Sequence, residues 1–145
     1  MSVLVDTNIL LRLLQPHHPH CGLAERALAN LRSRNETLYL TAQNLVEFWT
    51  VVTRSPDGNG LGFTTEQTIA ELTVLRHLFV VLPEQPLLDE WERLVRMYRV
   101  SGRHTHDARL VAAMVLSDVR SILTFNIRDF AGYREITAID PGNLP

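Results

Sequence analysis

Apolar residues along this chain come in two rhythms. Short apolar or β-branched runs alternate with longer segments whose apolar positions recur at helical spacing. The short runs predict strands over Val3 to Val5, Leu38 to Leu40, Phe79 to Leu82, Ser121 to Thr124 and Glu135 to Ala138. Between them the helical rhythm predicts segments near 8–14, 22–33, 42–53, 65–78, 87–100 and 107–117. Local start signals agree: Thr41 precedes Ala42 as an N-cap, Thr64 or Thr65 stands three residues before Gln67 or Thr68, and Pro86 suits a first turn. Strands alternating with helices imply βαβ units and hence a parallel sheet covered on both faces.

One segment breaks the rhythm strongly. Ser55-Pro56-Asp57-Gly58-Asn59-Gly60-Leu61-Gly62 reads as a surface linker between two helices, with the rim of a substrate groove as the alternative. It is not a phosphate-binding loop, because no Gly-Lys-Ser/Thr opens the following helix. No internal repeat or low-complexity tract is present.

With 145 residues the chain has the length of one well-buried core, so a single domain over 1–145 is expected. Its 46% hydrophobic and 21% charged residues describe an ordinary soluble protein, and no apolar stretch approaches the roughly 18 residues of a membrane helix. The opening residues lack the pattern of a secretory signal, and the lone Cys21 cannot staple a fold. Both point to a reducing cytoplasm. A net charge of −2 advertises no general affinity for polyanions, so any nucleic acid would be held by local patches or through a metal. All 14 basic residues are arginine. The absence of lysine excludes the P-loop lysine, Schiff-base catalysis and a lysine general base.

The candidate chemistry lies in four acidic residues far apart in sequence. Asp6 follows the first strand, with Thr7-Asn8 leading into a helix, and ligands of parallel sheets gather at such strand ends. Taken alone, Asp6 reads as a helix cap. Glu47 sits inside an apolar helix between Leu45-Val46 and Phe48-Trp49, so it emerges on a narrow polar stripe or points into a polar site. Asp107 opens the helix whose buried stripe is Leu110, Val111, Met114 and Val115, beside His106 and Arg109. Asp129 follows Thr124-Phe125-Asn126 beyond the fourth strand. Carboxylates about 5 Å apart repel by roughly 3 kcal/mol at an effective dielectric near 20, and a hard divalent cation relieves that repulsion.

Together these stretches resemble the PIN domain, most closely the VapC-like toxins of prokaryotic toxin–antitoxin pairs. The resemblance is carried by Val3-Leu4-Val5-Asp6-Thr7-Asn8-Ile9-Leu10, by Thr41 to Phe48, by His106-Asp107-Ala108-Arg109-Leu110-Val111-Ala112-Ala113, and by Thr124-Phe125-Asn126 with Asp129-Phe130. It implies a three-layer α/β/α fold around a mostly parallel sheet of about five strands, and an Mg²⁺- or Mn²⁺-dependent endoribonuclease leaving a 5′-phosphate and a 3′-hydroxyl. Asp6 and Asp107 match the family's most constant metal ligands, Glu47 the third acid, and Asn126 or Asp129 the region of the fourth. Asparagine at 126 stands where many members carry another aspartate, which leaves open both the fourth group and a second metal. The resemblance further implies a homodimer and an inhibitory antitoxin protein.

Around these acids Thr7, Asn8, Thr124 and Asn126 are candidate supporting groups. Glu47 or Asp129 could orient or deprotonate a water. Arg99, Arg103 and Arg109 are the nearest candidates for gripping RNA phosphates, with Arg128 beside them. Arg93 and Arg96 read equally as a solvated face paired with Glu90 and Glu92. His17-His18-Pro19-His20-Cys21 lacks a second ligand cluster and reads as a polar loop, and Trp49, Trp91 and Met97 read as core.

Other classes fit less well. A phosphatase or response-regulator receiver using Asp6 as nucleophile would need a lysine, and the phosphatase a second aspartate where Asn8 stands. A free-standing PIN ribonuclease, or a PIN domain that binds RNA or protein without cutting, remains as the alternative.

Overall fold

A computed structural model describes residues 2–144. Five strands form one sheet: β1 (Ser2–Val5), β2 (Thr37–Leu40), β3 (Val80–Val81), β4 (Ser121–Leu123) and β5 (Thr137–Ile139). Their order is β3-β2-β1-β4-β5, and every neighbouring pair is parallel. Helices α1 (Thr7–Leu13), α2 (Cys21–Ser33), α3 (Ala42–Thr53), α4 (Thr65–Leu78), α5 (Leu88–Met97), α6 (His104–Leu116) and α7 (Ile127–Phe130) make the connections.

The period of two along each strand assigns its side chains to two layers. Val3 and Val5 of β1, Leu38 and Leu40 of β2 and Leu123 of β4 pack on one side with Ile9, Leu10, Leu28, Phe48 and Leu75. Leu4 and Ile122 turn to the other side and meet Leu94, Leu110, Met114 and Phe130. Helices α1 to α4 therefore cover one face and α5 to α7 the other, which is the three-layer α/β/α arrangement.

Several elements differ from the sequence expectation for identifiable reasons. The third strand shrinks to two residues, since Phe79 serves as the buried C-cap of α4. Helix α5 stops at Met97 because Arg99 and Gly102 both take the left-handed conformation, φ +52° and +60°. Asp107 does not open its helix. Helix α6 begins a turn earlier at His104, with no side-chain cap at Arg103, while Thr105 turns its hydroxyl back to the Gly102 carbonyl at 2.8 Å. Met97 is 56% exposed rather than core, whereas Trp91 is partly buried and its indole donates to the Thr105 carbonyl at 2.9 Å. The fifth strand lies slightly downstream of the expected run, and the short α7 was not expected as a separate helix.

The expected caps of α3 and α4 form. Thr41 with Asn44, and Thr64 with Gln67, each make a reciprocal capping box. The Ser55–Gly62 breaker joins α3 to α4 through a single 3₁₀ turn at Pro56–Gly58. Gly60 is required there, because a Cβ would lie 2.0 Å from the Arg54 carbonyl oxygen. This linker follows the end of α3 remote from the strand termini, which favours the linker reading over a groove rim. Among the described residues no helix is long and apolar enough to cross a membrane.

The order of the strands decides where a ligand can bind. From β1 the chain moves to β2 and β3 on one side, and β4 and β5 are added on the other. The crevice beyond the carboxyl ends of β1 and β4 is thus the topological switch point, the usual ligand position in such sheets.

Candidate acidic active site

Asp6 and Thr124 leave the adjacent strands β1 and β4 side by side at that switch point. The Thr124 hydroxyl donates to Asp6 Oδ2 at 2.7 Å, the Asn8 amide donates to the same oxygen at 3.3 Å, and the Thr7 backbone N–H donates to Asp6 Oδ1 at 2.7 Å. Asp6 is therefore a helix cap and a site residue at once. It is only 8% exposed. Burial, followed by the neighbouring Glu47 and Asp107 charges, pushes its carboxyl up to about 6, against the lowering effect of the Thr124 and Thr7 hydrogen bonds.

Glu47 reaches the site from α3. Its Oε2 accepts the Thr7 hydroxyl at 2.9 Å and its Oε1 accepts the Gln43 amide at 2.9 Å. Of the two readings open for this glutamate, the structure selects the polar site. Thr7 is in turn held by the fully buried Asn44, whose amide donates to the Thr7 hydroxyl at 3.1 Å. Asn44 thus joins the α3 cap to the site. Gln43 bridges further, donating to the His106 carbonyl at 3.0 Å and accepting from Arg109 at 2.9 Å.

Asp107 and Asp129 meet on the outer side. His104 Nδ1 lies 3.3 Å from Asp107 Oδ2 and 3.9 Å from Asp129 Oδ1. Among the described residues, His104, Asp107 and Asp129 form the group whose ligand atoms all lie within 4.8 Å of one another. Burial, then the Asp129 and Glu47 charges, raise the Asp107 carboxyl above the usual range despite the favourable His104 contact. The Asp107 charge acts on Asp6, and Glu47 acts on both. The four acids expected from sequence therefore make one electrostatic cluster, in two parts linked by Asp107.

The supporting residues divide by position. Asn8 ties the turn after β1 to that after β4, donating to Thr124 Oγ1 at 3.2 Å and accepting the Phe125 N–H at 3.2 Å. Asn126 enters through its backbone, whose N–H donates to Thr124 Oγ1 at 3.0 Å. Arg103 shares a polar cleft with Asn126, Arg128 and Asp129, and Arg99 borders an adjoining hollow with His104 and Asp129. Arg109 stands on the opposite side, against Gln43. Arg93 and Arg96 face Glu90 and Glu92, respectively, along α5, so the solvated-face reading holds for them. His20 of the histidine-rich segment stacks on Phe125, ring centroids 4.4 Å apart.

Sequence reasoning missed Asn44, Gln43 and His104. Asn44 is the N3 residue that closes a Thr-x-x-Asn capping box, and Gln43 precedes Glu47 by one helical turn, so spacing signals existed for both. No linear signal pairs His104 with Asp129.

Fold and site together define a parallel α/β protein with an acidic cleft at the carboxyl ends of its central strands. The sequence pattern of the PIN domain matches residues 3–136, and the chain belongs to that family. Among solved structures it is similar to VapBC2 from Rickettsia felis bound to a promoter DNA fragment, with 16% identity, 97% of this chain and 98% of that chain covered, and a TM-score of 0.71. VapBC-1 from nontypeable Haemophilus influenzae matches at 17% identity over 99% and 100% of the two chains, TM-score 0.71. VapC20 of Mycobacterium tuberculosis, a sarcin–ricin loop cleaving toxin, matches at 22% over 94% and 99%, TM-score 0.64. These likenesses are of fold. No curated protein sequence matches the chain.

Proposed function

We propose that this protein is a divalent-cation-dependent endoribonuclease and the toxin half of a toxin–antitoxin pair. The observation that carries the reading is the convergence of Asp6, Glu47, Asp107 and Asp129 at the switch point, with two of the carboxyls raised partly by their neighbours.

The donor set suits Mg²⁺ or Mn²⁺. A carboxylate offers about four lone pairs, and Asp6 uses three on Thr7, Asn8 and Thr124, which leaves one for an ion. Asp107 and Asp129 would supply the other direct ligands. Glu47, whose oxygens each accept one hydrogen bond and keep a lone pair free, would serve as a further ligand or orient the ion's water. Once bound, such an ion lowers the pKa of a water and neutralises charge developing on phosphorus.

The protein's own residues do the rest. Thr7 and Gln43 fix the Glu47 carboxylate so that it can accept a proton from the attacking water. Thr124, through Asp6 and Asn8, holds the two strand ends at one spacing. Arg103 and Arg128 line the cleft beside Asp129 and offer planar donors to the substrate's phosphates, while Arg99 extends that border.

Asp129 is proposed as the fourth acid, because Asn126 has no charge to hold a cation or take a proton. In single-turnover cleavage of a labelled RNA, Asp129→Asn is expected to lose activity by about 10²-fold or more, and Asn126→Ala by far less. Loss confined to Asn126→Ala would reverse the assignment.

Support for the toxin role comes from the family and from the VapBC complexes that share the fold. An apolar groove also lies beside the acids, lined by Ala42 of α3, the Leu82–Leu87 connection, and Leu110 and Ala113 of α6. It is walled by α3 and α6. An antitoxin segment lying there could reach the carboxylates with an arginine. A homodimer is the expected assembly by the family resemblance. Expression of the chain alone should arrest growth, and Asp6→Ala should relieve the arrest. Harmless expression of a protein that cuts RNA in vitro would leave the free-standing nuclease.

A further inference from the structure

We propose that His104 is a nitrogen ligand in an outer cation site with Asp107 and Asp129, which biases this chain towards Mn²⁺ over Mg²⁺. The inference deepens the metal-dependent reading and rests on it. Its basis is that these side chains come together without Asp6 or Glu47. One ligand atom from each of the three lies within 4.8 Å of the others. Two ligands at about 2.1 Å from one ion can stand up to roughly 4.2 Å apart, so small side-chain rotations suffice.

The backbone explains the grouping. His104 is the first residue of α6 and Asp107 lies one turn on, so the two face the same way at i, i+3 spacing. Asp129 arrives from α7, which starts directly beyond β4, and closes the third side. His104 Nδ1 points at both carboxylates and is the only nitrogen in the group. Asp107 belongs to both parts of the acidic cluster, so an outer ion would sit beside, and share a ligand with, the position that Asp6 helps to form.

The choice of ion follows from ligand chemistry. Mg²⁺ strongly favours oxygen donors, while imidazole suits transition ions. A site of two carboxylates and an imidazole is therefore better matched to Mn²⁺. If His104 instead served only as a cationic partner of Asp107, it would repel either ion when protonated and would give no selectivity.

The test uses the full chain at pH 7.5. Mn²⁺ and Mg²⁺ binding are measured by calorimetry for wild type, His104→Ala and, as control, His106→Ala. Pulsed electron paramagnetic resonance of bound Mn²⁺ reads coupling to a ¹⁴N nucleus. The expected result is a ¹⁴N coupling present in wild type and His106→Ala but lost in His104→Ala. Mn²⁺ affinity should fall about tenfold or more in His104→Ala, with Mg²⁺ affinity changed less. Mn²⁺ binding without nitrogen coupling, and unchanged by His104→Ala, overturns the proposal while leaving the metal-dependent nuclease standing. If wild type binds neither ion, both fail.

Discussion

Asp107→Asn should lower single-turnover RNA cleavage by about 10²–10⁴-fold while leaving the protein folded, and in chelator more stable than wild type. The two directions have one cause. Asp107 is half-buried and its carboxyl is raised by burial, Asp129 and Glu47, so the metal-free protein bears a cost for ionising it. An amide of the same shape removes that cost. Each kcal/mol recovered raises Tm by roughly 2–4 °C at this size. In the proposed metal site the same amide would take a charged ligand from both parts of the cluster, so Mn²⁺ binding by calorimetry should weaken sharply. Equal Mn²⁺ affinity in Asp107→Asn and wild type would remove Asp107 from the metal site. A lower Tm in chelator would show that its hydrogen bonds outweigh the repulsion.

Metal-free stability should also fall as pH rises from about 4 to about 6, which is opposite to the usual behaviour of a paired carboxylate. The Asp6 carboxyl titrates near 3.8 when the chain is unfolded and near 6 when folded. Between those values the folded state keeps a proton that the unfolded state has released, so raising the pH favours unfolding. The interval corresponds to about 3 kcal/mol at order of magnitude, fully present below the lower value and lost above the upper one. Urea denaturation of wild type and Asp6→Asn in chelator isolates this contribution. Asp6→Asn should be less stable, because an amide keeps one acceptor oxygen and cannot accept from Thr124 and Asn8 at one position and from the Thr7 N–H at the other, but its own curve should lack the wild-type decline, which then appears in the difference between the two proteins. Parallel curves would mean that folding does not raise the Asp6 carboxyl. Adding Mn²⁺ at pH 7.5 should restore more stability to wild type than to the variant.

The sheet was legible because its strands obey one rule without exception in the centre. Val3 and Val5 face one layer and Leu4 the other, and Leu123 and Ile122 repeat the pattern in β4. Edge elements were less legible. In β3 only Val80 and Val81 pair, although Phe79 and Leu82 look equally strand-like, because Phe79 is drawn into the core as a helix cap. The start of α6 was displaced for a similar reason. Asp107 read as the opening of its helix, but the helix starts at His104, Thr105 bonds backward to Gly102, and Asp107 turns to His104.

The site divides in the same way. Asp6, Glu47, Asp107 and Asp129 were visible because element ends in a parallel sheet converge on one edge. What holds them was not visible. The Thr124–Asp6 and Asn44–Thr7 hydrogen bonds join residues 118 and 37 positions apart, and Gln43 spans 66 positions to Arg109. Such pairings follow from topology rather than from local spacing. The same limit hid His104, which became a candidate only when α7 placed Asp129 beside it.

The acidic cleft is proposed to cut RNA with a divalent cation. The decisive measurement is single-turnover cleavage of a 3′-labelled RNA by the purified chain, with Mn²⁺ present and again in excess chelator. Cleavage with Mn²⁺ that leaves a 5′-phosphate on the downstream product, and that stops in chelator, is the predicted result. No cleavage with Mn²⁺ present, or cleavage that continues unchanged in chelator, would contradict it.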